Sequence, residues 1–503
     1  MQITRRSFGG AALGGAVLAL PTLRAAHAAG NVLRIGISSS LSRLDPLMTT
    51  IGDEYIYDNL VFNGLTRMAE DLTVQPDLAE RWEYGADLKA WTFHLRQGVK
   101  FHDGSTMTSA DVVALFRRLL DPATAAPSRS NYDMVTSVDA PDANTVVFTL
   151  SSPYGGFADI MSDRQVKIVP AGKVAQLPTA PIGTGPFRFV SYTPGDRLVL
   201  AKNAEYFEPG MPRLDGVELR IVPEMGAKLA ALQSGDLDVV WDLPLDQVKP
   251  LQGRAGLRVE SISSGSWDAA IMNNGTAPFN DPRVRLAFQM AVDKADLVET
   301  VLFGEGVPTI SPIPPTHAFY ATGLTVPPAD PAGARKLLAQ AGYPNGVRVP
   351  IIVPVGRAVR ERLGVALQQL AKPGGFDLQV QRVPFSSFDA EVSGKAALYI
   401  DGYFARPTID TSTFPFLHST GSWNAKLWHY KNRAVDDALL AARLSGDAGE
   451  QQRHYQAMQA ALLADPAGLF AYAVNFACAY RAGVTGVKTH PMRWFDLRQA
   501  AMA

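Results

Sequence analysis

The chain has 503 residues, of which 47% are hydrophobic and 19% charged, and its formal net charge is −1. These values are typical of a globular protein of two or three domains, and the lack of a basic stripe argues against nucleic acid as a partner. The 35 prolines and 43 glycines are spread along the chain and favour many short elements joined by turns over a helical bundle.

The first 28 residues have the features of an export signal. Arg5 and Arg6 precede a mild apolar run over residues 11–20, and the tripeptide AHA at 26–28 fits a small-x-small cleavage site. The paired arginines resemble a twin-arginine signal, which a translocase for folded proteins reads. An ordinary secretory signal is the alternative. The apolar run is too short for a stable membrane span, so we expect a soluble protein in a bacterial periplasm, cleaved near Ala28.

Cys478 is the only cysteine, so no intrachain disulfide is possible. It lies in the apolar run FAYAVNFACAY, where a buried and unreactive thiol is expected.

Predicted strands and helices alternate in the first part of the chain. Residues 32–38 (VLRIGIS) are typical of a buried strand, and helical spacing of apolar residues predicts a helix from Glu54 to Met68. Apolar and polar residues then alternate in WTFHLRQ, as in a strand with one buried face. Thr108 or Ser109 is the predicted N-cap of a helix from Ala110 to Leu120.

The alternation continues in the second part of the chain. Two strands flank the turn Pro194-Gly195, and residues 217–243 have the pattern of a β-α-β unit. A helical region begins at Asp281-Pro282, where proline suits the first helical position. Such alternation indicates an α/β protein with open sheets. The antiparallel pattern over 91–150 predicts a separate small lobe, and a cleft that closes on a hinge is expected.

The stretch LYIDGYFARPTIDTSTFPFLHSTGSWN, residues 398–424, predicts a small-molecule site. A short apolar strand breaks at Gly402 and opens into a loop of aromatic and hydrogen-bonding residues, a plausible wall for a ligand. Arg406 carries the only positive charge of this stretch.

Four stretches carry a resemblance to a known family. They are PDLAERWEYGADLKAWTFHLRQGVKFHDGSTMTSADVV, GTGPFRFVSY, KLAALQSGDLDVV and FNDPRVRLAFQMAVDKADLVETVLFGEG. In content, order and spacing the sequence resembles the periplasmic solute-binding proteins that serve peptide and nickel ABC transporters. The resemblance implies a type II periplasmic binding protein fold, with two α/β lobes joined by a hinge and an extra small domain inserted early.

The resemblance also implies how the mature chain is divided. Lobe I is assembled from residues 29–62, 186–270 and 476–503. A small domain II is inserted at 63–185, and lobe III comprises residues 271–475.

One segment departs from the pattern of the peptide-binding members. There the matching segment reads roughly Gly-Trp-x-x-Asp, and its aspartate pairs with the α-amino group of the ligand. Here Gly402, Tyr403, Phe404 and Ala405 are followed by Arg406, so the charge at the equivalent position is reversed. The ARPTID segment followed by SWN is similar to a branch close to the glutathione-binding members. Capture of a free peptide amine at this position is therefore not expected.

An arginine at this position favours a different ligand. Its planar guanidinium can hold a carboxylate by two parallel hydrogen bonds, and a closed cleft strengthens such a pair. We expect a ligand with a carboxylate or another oxyanion, such as an acidic or modified peptide, a glutathione-like molecule or an opine-like conjugate. The alternative is an internal ion pair of Arg406 with Asp401 or Asp410.

Further candidate ligand contacts are aromatic or hydrogen-bonding residues near the predicted lobe crossing, the loop after the first strand, or Arg406 itself. They are Tyr403, Asp410, Trp423, Asn424, Trp267, Asn273, Asn274, Ser39, Ser40 and Leu41. The alternatives are aromatic residues in the core and asparagines that satisfy backbone groups or cap a turn. His102 and His418 lack metal-ligand spacing and are expected to be structural, so neither a metal nor a cofactor is predicted.

The function predicted from these features is solute capture for import. No G-x-S-x-G, H-E-x-x-H or P-loop pattern occurs, so an enzyme is not expected. We predict a monomeric periplasmic substrate-binding protein that captures a peptide-like or other carboxylate-bearing solute and delivers it to an ABC permease in the inner membrane. The alternatives are an exported hydrolase for a small acidic substrate, a nickel-type metal-chelate binder, and a binding protein that feeds a receptor.

Overall fold

A mixed eleven-stranded sheet runs through the computed structural model, which describes residues 31–503. The predicted export signal lies outside these residues. Within them, no helix is long and apolar enough to cross a membrane.

The strands are short except for two. In chain order they are β1 Val32–Ile37, β2 Thr66–Met68, β3 Val74–Pro76, β4 Ala79–Tyr84, β5 Ala90–Leu95, β6 Val135–Asp142, β7 Thr145–Leu150, β8 Phe187–Thr193, β9 Arg197–Lys202, β10 Gly216–Ile221, β11 Val239–Val240, β12 Leu257–Met272, β13 Gly306–Pro308, β14 Val347–Val355, β15 Phe376–Pro384, β16 Leu398–Tyr403, β17 Leu469–Arg481, β18 Val484–Thr485, β19 Lys488–Thr489, β20 Phe495–Asp496 and β21 Ala501–Met502.

The α-helices lie between these strands and over the faces of the sheets. They are α1 Gly52–Val61, α2 Ser109–Leu120, α3 Phe157–Ile160, α4 Met225–Ser234, α5 Val248–Leu251, α6 Pro282–Ala291, α7 Lys294–Leu302, α8 Pro331–Gln340, α9 Ala358–Leu370, α10 Phe385–Glu391, α11 Ile409–Leu417, α12 Arg433–Arg443 and α13 Ala448–Ala464.

The main sheet has the order β15-β14-β16-β12-β17-β11-β1-β10-β9-β8, and β13 pairs with β17. β1 is parallel to both β10 and β11 and lies between them, so the predicted β10-α4-β11 unit is present with β1 at its centre. The small antiparallel sheet predicted for residues 91–150 is present as β4-β5-β7-β6.

The described residues pack around separate apolar cores. One core gathers residues from 33–62, 169–241 and 476–500, a second gathers residues from 47–168, and two further clusters gather residues from 267–472. We call these regions lobe I, domain II and lobe III. The exact domain boundaries stay predictions. Cys478 is buried in the lobe I core, as expected, and burial raises the pKa of its thiol to about 12.

Two long strands connect lobe I with lobe III. β12 and β17 pair antiparallel over most of their lengths, from Leu257 opposite Arg481 to Ala270 opposite Leu469. One end of β17 pairs with β11 in lobe I, and the far end of β12 pairs with β16 in lobe III. The register shifts between Ser263 and Trp267, where an irregularity lets the ladder bend. The polypeptide thus crosses between lobes at the place expected for a hinge.

The helix predicted from Glu54 to Met68 is wrong in its second half, because α1 ends at Val61. The following residues are extended, with Phe62 in the lobe I core and Leu65 in the core of domain II. A continued helix could not deliver these two side chains to different cores, so tertiary packing overrides the local pattern. Gly64 also lies close to the backbone of Thr66, because a Cβ at this position would be 2.9 Å from the Thr66 carbonyl oxygen.

The segment after β16 also differs from the prediction of a continuous loop. Residues 409–417 form α11, and the Thr408 hydroxyl accepts a hydrogen bond from the Thr411 N–H at 2.9 Å to cap its start. A π-helical turn follows at Asn424–Trp428. The helical region predicted from Asp281 is two helices, α6 and α7, separated at Asp293, which caps α7.

Candidate functional site

A cavity of about 180 Å³ lies where lobe I, domain II and lobe III meet. Its lining comes from all three regions and mixes charged with aromatic side chains. Lobe I contributes Ser38, Gly52, Asp53, Tyr55, Trp241, Asp242, Met492 and Arg493, domain II contributes Arg164, and lobe III contributes Phe404.

The floor of the cavity is built at the carboxyl ends of two parallel strands. Ser38 follows β1 directly and Trp241 follows β11 directly, which is where open α/β sheets bind ligands. The start of α1 approaches the same point. A Cβ at Gly52 would lie 2.8 Å from Cη2 of Trp241, so the glycine allows the helix and the indole to meet.

Asp53 is a buried acid in the cavity wall with one carboxylate oxygen unused. Its Oδ2 accepts hydrogen bonds from the backbone N–H of Ser39, at 2.8 Å, and from the Ser39 hydroxyl. Its Oδ1 is buried and has no hydrogen-bond partner among residues 31–503. Burial raises the pKa of Asp53, although hydrogen bonds from Ser39 and the charge of Lys228 oppose the rise. A negative charge here is therefore only partly compensated.

Arg406 does not form either of the internal ion pairs that the sequence left open. Asp401 instead accepts from Nη1 of Arg360 at 2.7 Å, and Asp410 accepts from Nε and Nη2 of Arg443 at 3.0 and 2.7 Å. The Nε atom of Arg406 is buried and lacks a hydrogen-bond partner in the described part of the chain. Burial, and then the positive charge of Arg164, lower the pKa of Arg406.

Arg164, which the sequence did not mark, lines the cavity, whereas the nearby Arg406 lies outside the lining. The Arg164 side chain is almost fully buried, and its guanidinium carbon lies 4.1 Å from the ring centroid of Tyr55. It forms no ion pair with a carboxylate of residues 31–503. Its segment, SDRQ, has no motif that would mark it, because only the folded chain brings domain II beside Arg406. We call Arg164 and Arg406 the arginine pair.

The predicted aromatic contacts form a packed cluster beneath the end of β16. The Tyr403 ring centroid lies 4.6 Å from that of Phe416, 5.3 Å from that of Trp267 and 5.6 Å from that of Trp423. Trp267 is 3% exposed and belongs to a lobe III core. These side chains do not line the cavity. Phe404, which the sequence analysis did not select, is 52% exposed and does line it.

The three asparagines predicted as ligand contacts form hydrogen bonds with backbone groups instead, which was the alternative. The Nδ2 of Asn273 donates to the Gly394 carbonyl at 3.0 Å, and that of Asn274 donates to three carbonyls at 2.8 to 3.0 Å. Asn424 uses both ends of its amide on Tyr430, donating to its carbonyl at 2.8 Å and accepting from its N–H at 2.9 Å. They fix turns around lobe III rather than facing the cavity.

One residue of the loop after β1 lines the cavity. Ser38 lines the cavity, and Ser39 acts by holding Asp53. Ser40 Oγ accepts from the Gly195 N–H at 3.0 Å, and Leu41 is buried in the lobe I core. Ser40 and Leu41 thus shape the loop without reaching the cavity.

Domain II also contacts lobe III directly. The Tyr154 hydroxyl donates to Asp410 Oδ2 at 3.1 Å, and the Gly155 N–H donates to the Arg443 carbonyl at 2.8 Å. A Cβ at Gly155 would lie 1.8 Å from the Ser445 carbonyl oxygen, so only glycine permits this approach. The predicted ligand contact Asp410 is therefore engaged in holding two regions together.

Asp159 makes this contact sensitive to pH. Burial, and then the charge of Asp410, raise the pKa of Asp159 to about 7, whereas an unfolded chain has its ordinary value near 4. Between these values the unfolded chain releases a proton that the folded chain retains, so stability falls as pH rises from about 4 to about 7. We expect Asp159→Asn to raise the unfolding free energy by roughly 1–3 kcal/mol more at pH 8 than at pH 4.5.

Urea unfolding at the two pH values measures this difference. Asp246→Asn, which removes an exposed acid of lobe I, is the control and should show almost no pH-dependent gain. An equal gain from Asp159→Asn at both pH values would contradict the assignment.

Comparison with known proteins identifies the family of this chain. A family model described as bacterial extracellular solute-binding proteins, family 5 Middle, matches residues 73–425. The glutathione-binding protein GsiB of Pectobacterium atrosepticum is 27% identical over 99% of this chain and 99% of its own length.

Two solved structures show the same likeness over almost the whole chain. The binding protein AgaA from A.tumefacien R10, in complex with agropinic acid, is 27% identical with a TM-score of 0.76, covering 94% of this chain and 99% of AgaA. The oligopeptide-binding protein AppA of Bacillus subtilis, in complex with a nonapeptide, is 25% identical with a TM-score of 0.75, covering 94% of this chain and 99% of AppA.

The predicted family and the predicted binding-protein fold are confirmed by these matches. The relatives are solute-binding proteins, which supports the main functional prediction over a hydrolase or a metal-chelate carrier. Since the family model covers more than half of the chain, the protein belongs to the bacterial extracellular solute-binding proteins of family 5.

Proposed function

We propose that this protein is the periplasmic substrate-binding component of an ABC importer and that its solute carries at least one carboxylate. The observation that carries the proposal is the arginine pair. Arg164 is buried and lines the cavity, Arg406 is partly buried and lies near Arg164, and no carboxylate of the described chain forms an ion pair with either.

Two guanidinium groups close together and shielded from water are unfavourable in the protein without a ligand, although the charge of Asp163 partly offsets that of Arg406. Removing a charge from water costs several kcal/mol unless a partner and hydrogen bonds replace the lost hydration. Arginine offers a planar array of donors that matches a carboxylate. A ligand carboxylate near Arg164 and Arg406 would supply both the missing charge and the missing acceptors, including one for the buried Nε of Arg406.

The position of the arginine pair also suits capture by closure. Arg164 belongs to domain II and Arg406 to lobe III, while the cavity floor belongs to lobe I. An anion that contacts both arginines stabilises the closed arrangement relative to an open one, and a ligand shifts the equilibrium by its difference in affinity for the two forms. The membrane permease would then recognise the closed form.

The relatives agree with an acidic ligand. One is named a glutathione-binding protein and another was solved with agropinic acid, and both of these compounds are carboxylic acids. Export to the periplasm is consistent with the signal-like residues 1–28 and with the extracellular family.

A matched pair of ligands tests the proposal. Calorimetric titration and a thermal-shift assay would compare reduced glutathione with its diethyl ester, and agropinic acid with its methyl ester. We expect saturating free acid to stabilise the protein by about 2.7 kcal/mol at a hundred times its dissociation constant. The esters, which lack the carboxylate charge, should bind far more weakly. Equal binding of acid and ester would overturn the proposal.

A further inference from the structure

The contact between domain II and lobe III is separate from the cavity of the candidate site. The Tyr154 hydroxyl donates to Asp410 Oδ2 at 3.1 Å, and the guanidinium carbon of Arg443 lies 5.6 Å from the Tyr154 ring centroid. The Gly155 N–H donates to the Arg443 carbonyl at 2.8 Å. None of these four residues lines the cavity of the candidate site, so the contact can form whether or not a solute is bound there.

The path of the chain makes this contact reversible. Domain II is inserted in lobe I between α1 and β8, whereas lobe III is joined to lobe I through β12 and β17. Within residues 31–503, no segment therefore leads directly from domain II to lobe III. Each of the two has its own apolar core. Rotation about the irregular part of β12 and β17 can separate them without unfolding either core.

Two acids come together where domain II meets lobe III. Asp159 of domain II and Asp410 of lobe III line the same narrow cavity, of about 10 Å³. Asp410 already has a partner, because its Oδ2 lies 2.7 Å from Nη2 of Arg443. No hydrogen bond or cation among residues 31–503 offsets the charge of Asp159. A second carboxylate beside Asp410 is therefore favourable only in its protonated form.

The other titratable groups of this narrow cavity keep one protonation state. They are Tyr154, Tyr455 of α13 and Arg443 of α12. Burial raises the pKa of both tyrosines well above its usual value, so both keep their protons, and an arginine stays charged. Asp159 differs, because burial and then the charge of Asp410 raise its pKa to about 7.

The sign of the pH effect follows from the open form. With lobe III moved away, Asp159 loses both its burial and its acidic neighbour, and its pKa returns to an ordinary value of about 4. Between these two values the closed form holds a proton that the open form releases. The closed form is therefore favoured most below pH 4 and becomes less favourable as the pH rises to about 7.

We infer that the contact between domain II and lobe III is a pH-dependent latch, which holds the protein closed while Asp159 is protonated and promotes opening when that proton is lost. The latch comprises Tyr154, Gly155, Asp159, Asp410 and Arg443. The inference rests on the hinge closure of the proposed function but not on the identity of the solute. We expect the ratio of closed to open protein to fall roughly 10- to 100-fold from pH 5 to pH 8.

The distance between domain II and lobe III in the ligand-free protein tests the latch. Double electron–electron resonance would measure it between spin labels on Glu83→Cys and Asp437→Cys, whose native side chains are 66% and 70% exposed. Cys478 is buried and should not react. In the otherwise native protein we expect a longer distance to gain population from pH 5 to pH 8. Asp159→Asn, which has no proton to lose there, should give the same distribution at both pH values.

Two further variants separate the proton from the contact. Glu80→Gln removes an exposed acid of domain II and should keep the native pH dependence. Gly155→Ala would place a methyl group 1.8 Å from the Ser445 carbonyl oxygen, so the longer distance should dominate at both pH values.

Three results would overturn the inference. They are a native distribution that does not change between pH 5 and pH 8, an equal change in Asp159→Asn, and a Gly155→Ala protein that is as closed as the native one. None of them bears on the acidic solute of the proposed function, which the comparison of free acids with esters tests separately.

Discussion

Arg406→Met weakens the binding of an acidic ligand by about 2–4 kcal/mol, or roughly 30- to 1,000-fold in the dissociation constant, if the arginine pair holds the ligand carboxylate. The expected loss is large because the ligand charge then keeps only Arg164 as a partner, in a site that is largely shielded from water. Calorimetric titration with glutathione or agropinic acid measures it. Arg164→Met should have an effect of similar size.

The same substitutions separate a binding role from a structural one. Methionine keeps the unbranched apolar stem of arginine but removes a charge that forms no ion pair in the described chain, so the ligand-free protein should be as stable as the native one or more stable. Arg406→Lys keeps the charge but loses the planar fork, and should recover only part of the affinity. Unchanged affinity in both Arg406→Met and Arg164→Met would remove the arginine pair from the ligand site.

Arg360→Ala is expected to reduce the unfolding free energy by about 3–5 kcal/mol, the range for removing one member of a buried ionic group. Arg360 extends from α9 and binds two acids on neighbouring strands, Asp268 of β12 at 3.0 Å and Asp401 of β16 at 2.7 Å. It also donates to the carbonyl of Gly402. Burial raises the pKa of both acids, and Arg360 is the group that opposes the rise most strongly. Its loss leaves two buried negative charges facing each other.

Urea unfolding at pH 7.5 would quantify this loss, with Arg433→Ala as the control. Arg433 forms a fully exposed pair with Asp437, with the arginine side chain 94% exposed, so we expect an effect near zero. The loss in Arg360→Ala should shrink at pH 5, because the raised pKa values let the two acids take up protons there more easily than ordinary carboxyls do. A loss below about 1 kcal/mol at pH 7.5 would show that Asp268 and Asp401 do not depend on Arg360.

The sequence supports a reliable prediction where the signal is local. Local apolar patterns place β1 and β5, and the Asp281-Pro282 pair marks the start of α6, because these signals depend only on neighbouring residues. The helix predicted beyond Val61 is wrong because tertiary packing decides the structure of this segment. Its apolar residues have helical spacing, but Phe62 packs in the core of lobe I and Leu65 in the core of domain II. The sequence alone does not show that two cores share these residues.

The residues of the candidate site also divide into those that the sequence marks and those that only the folded chain reveals. Arg406 could be selected from the sequence because its charge reverses a position in a known pattern. Arg164 and Asp53 could not, since each sits in a segment without a motif and acquires its role only when three regions converge on one cavity. Asn273, Asn274 and Asn424 were selected because amides bind ligands, yet amides also satisfy buried backbone groups, and spacing alone does not distinguish the two uses.

Native mass spectrometry of the protein purified from its own periplasm would show whether it carries an acidic solute. We expect a bound solute at one copy per chain, with a fragmentation pattern that shows a free carboxylate, and we expect the Arg164→Met/Arg406→Met double variant, prepared in the same way, to lack it. A co-purifying solute without an acidic group, or an acidic solute that the double variant retains in full, would contradict the role of the arginine pair.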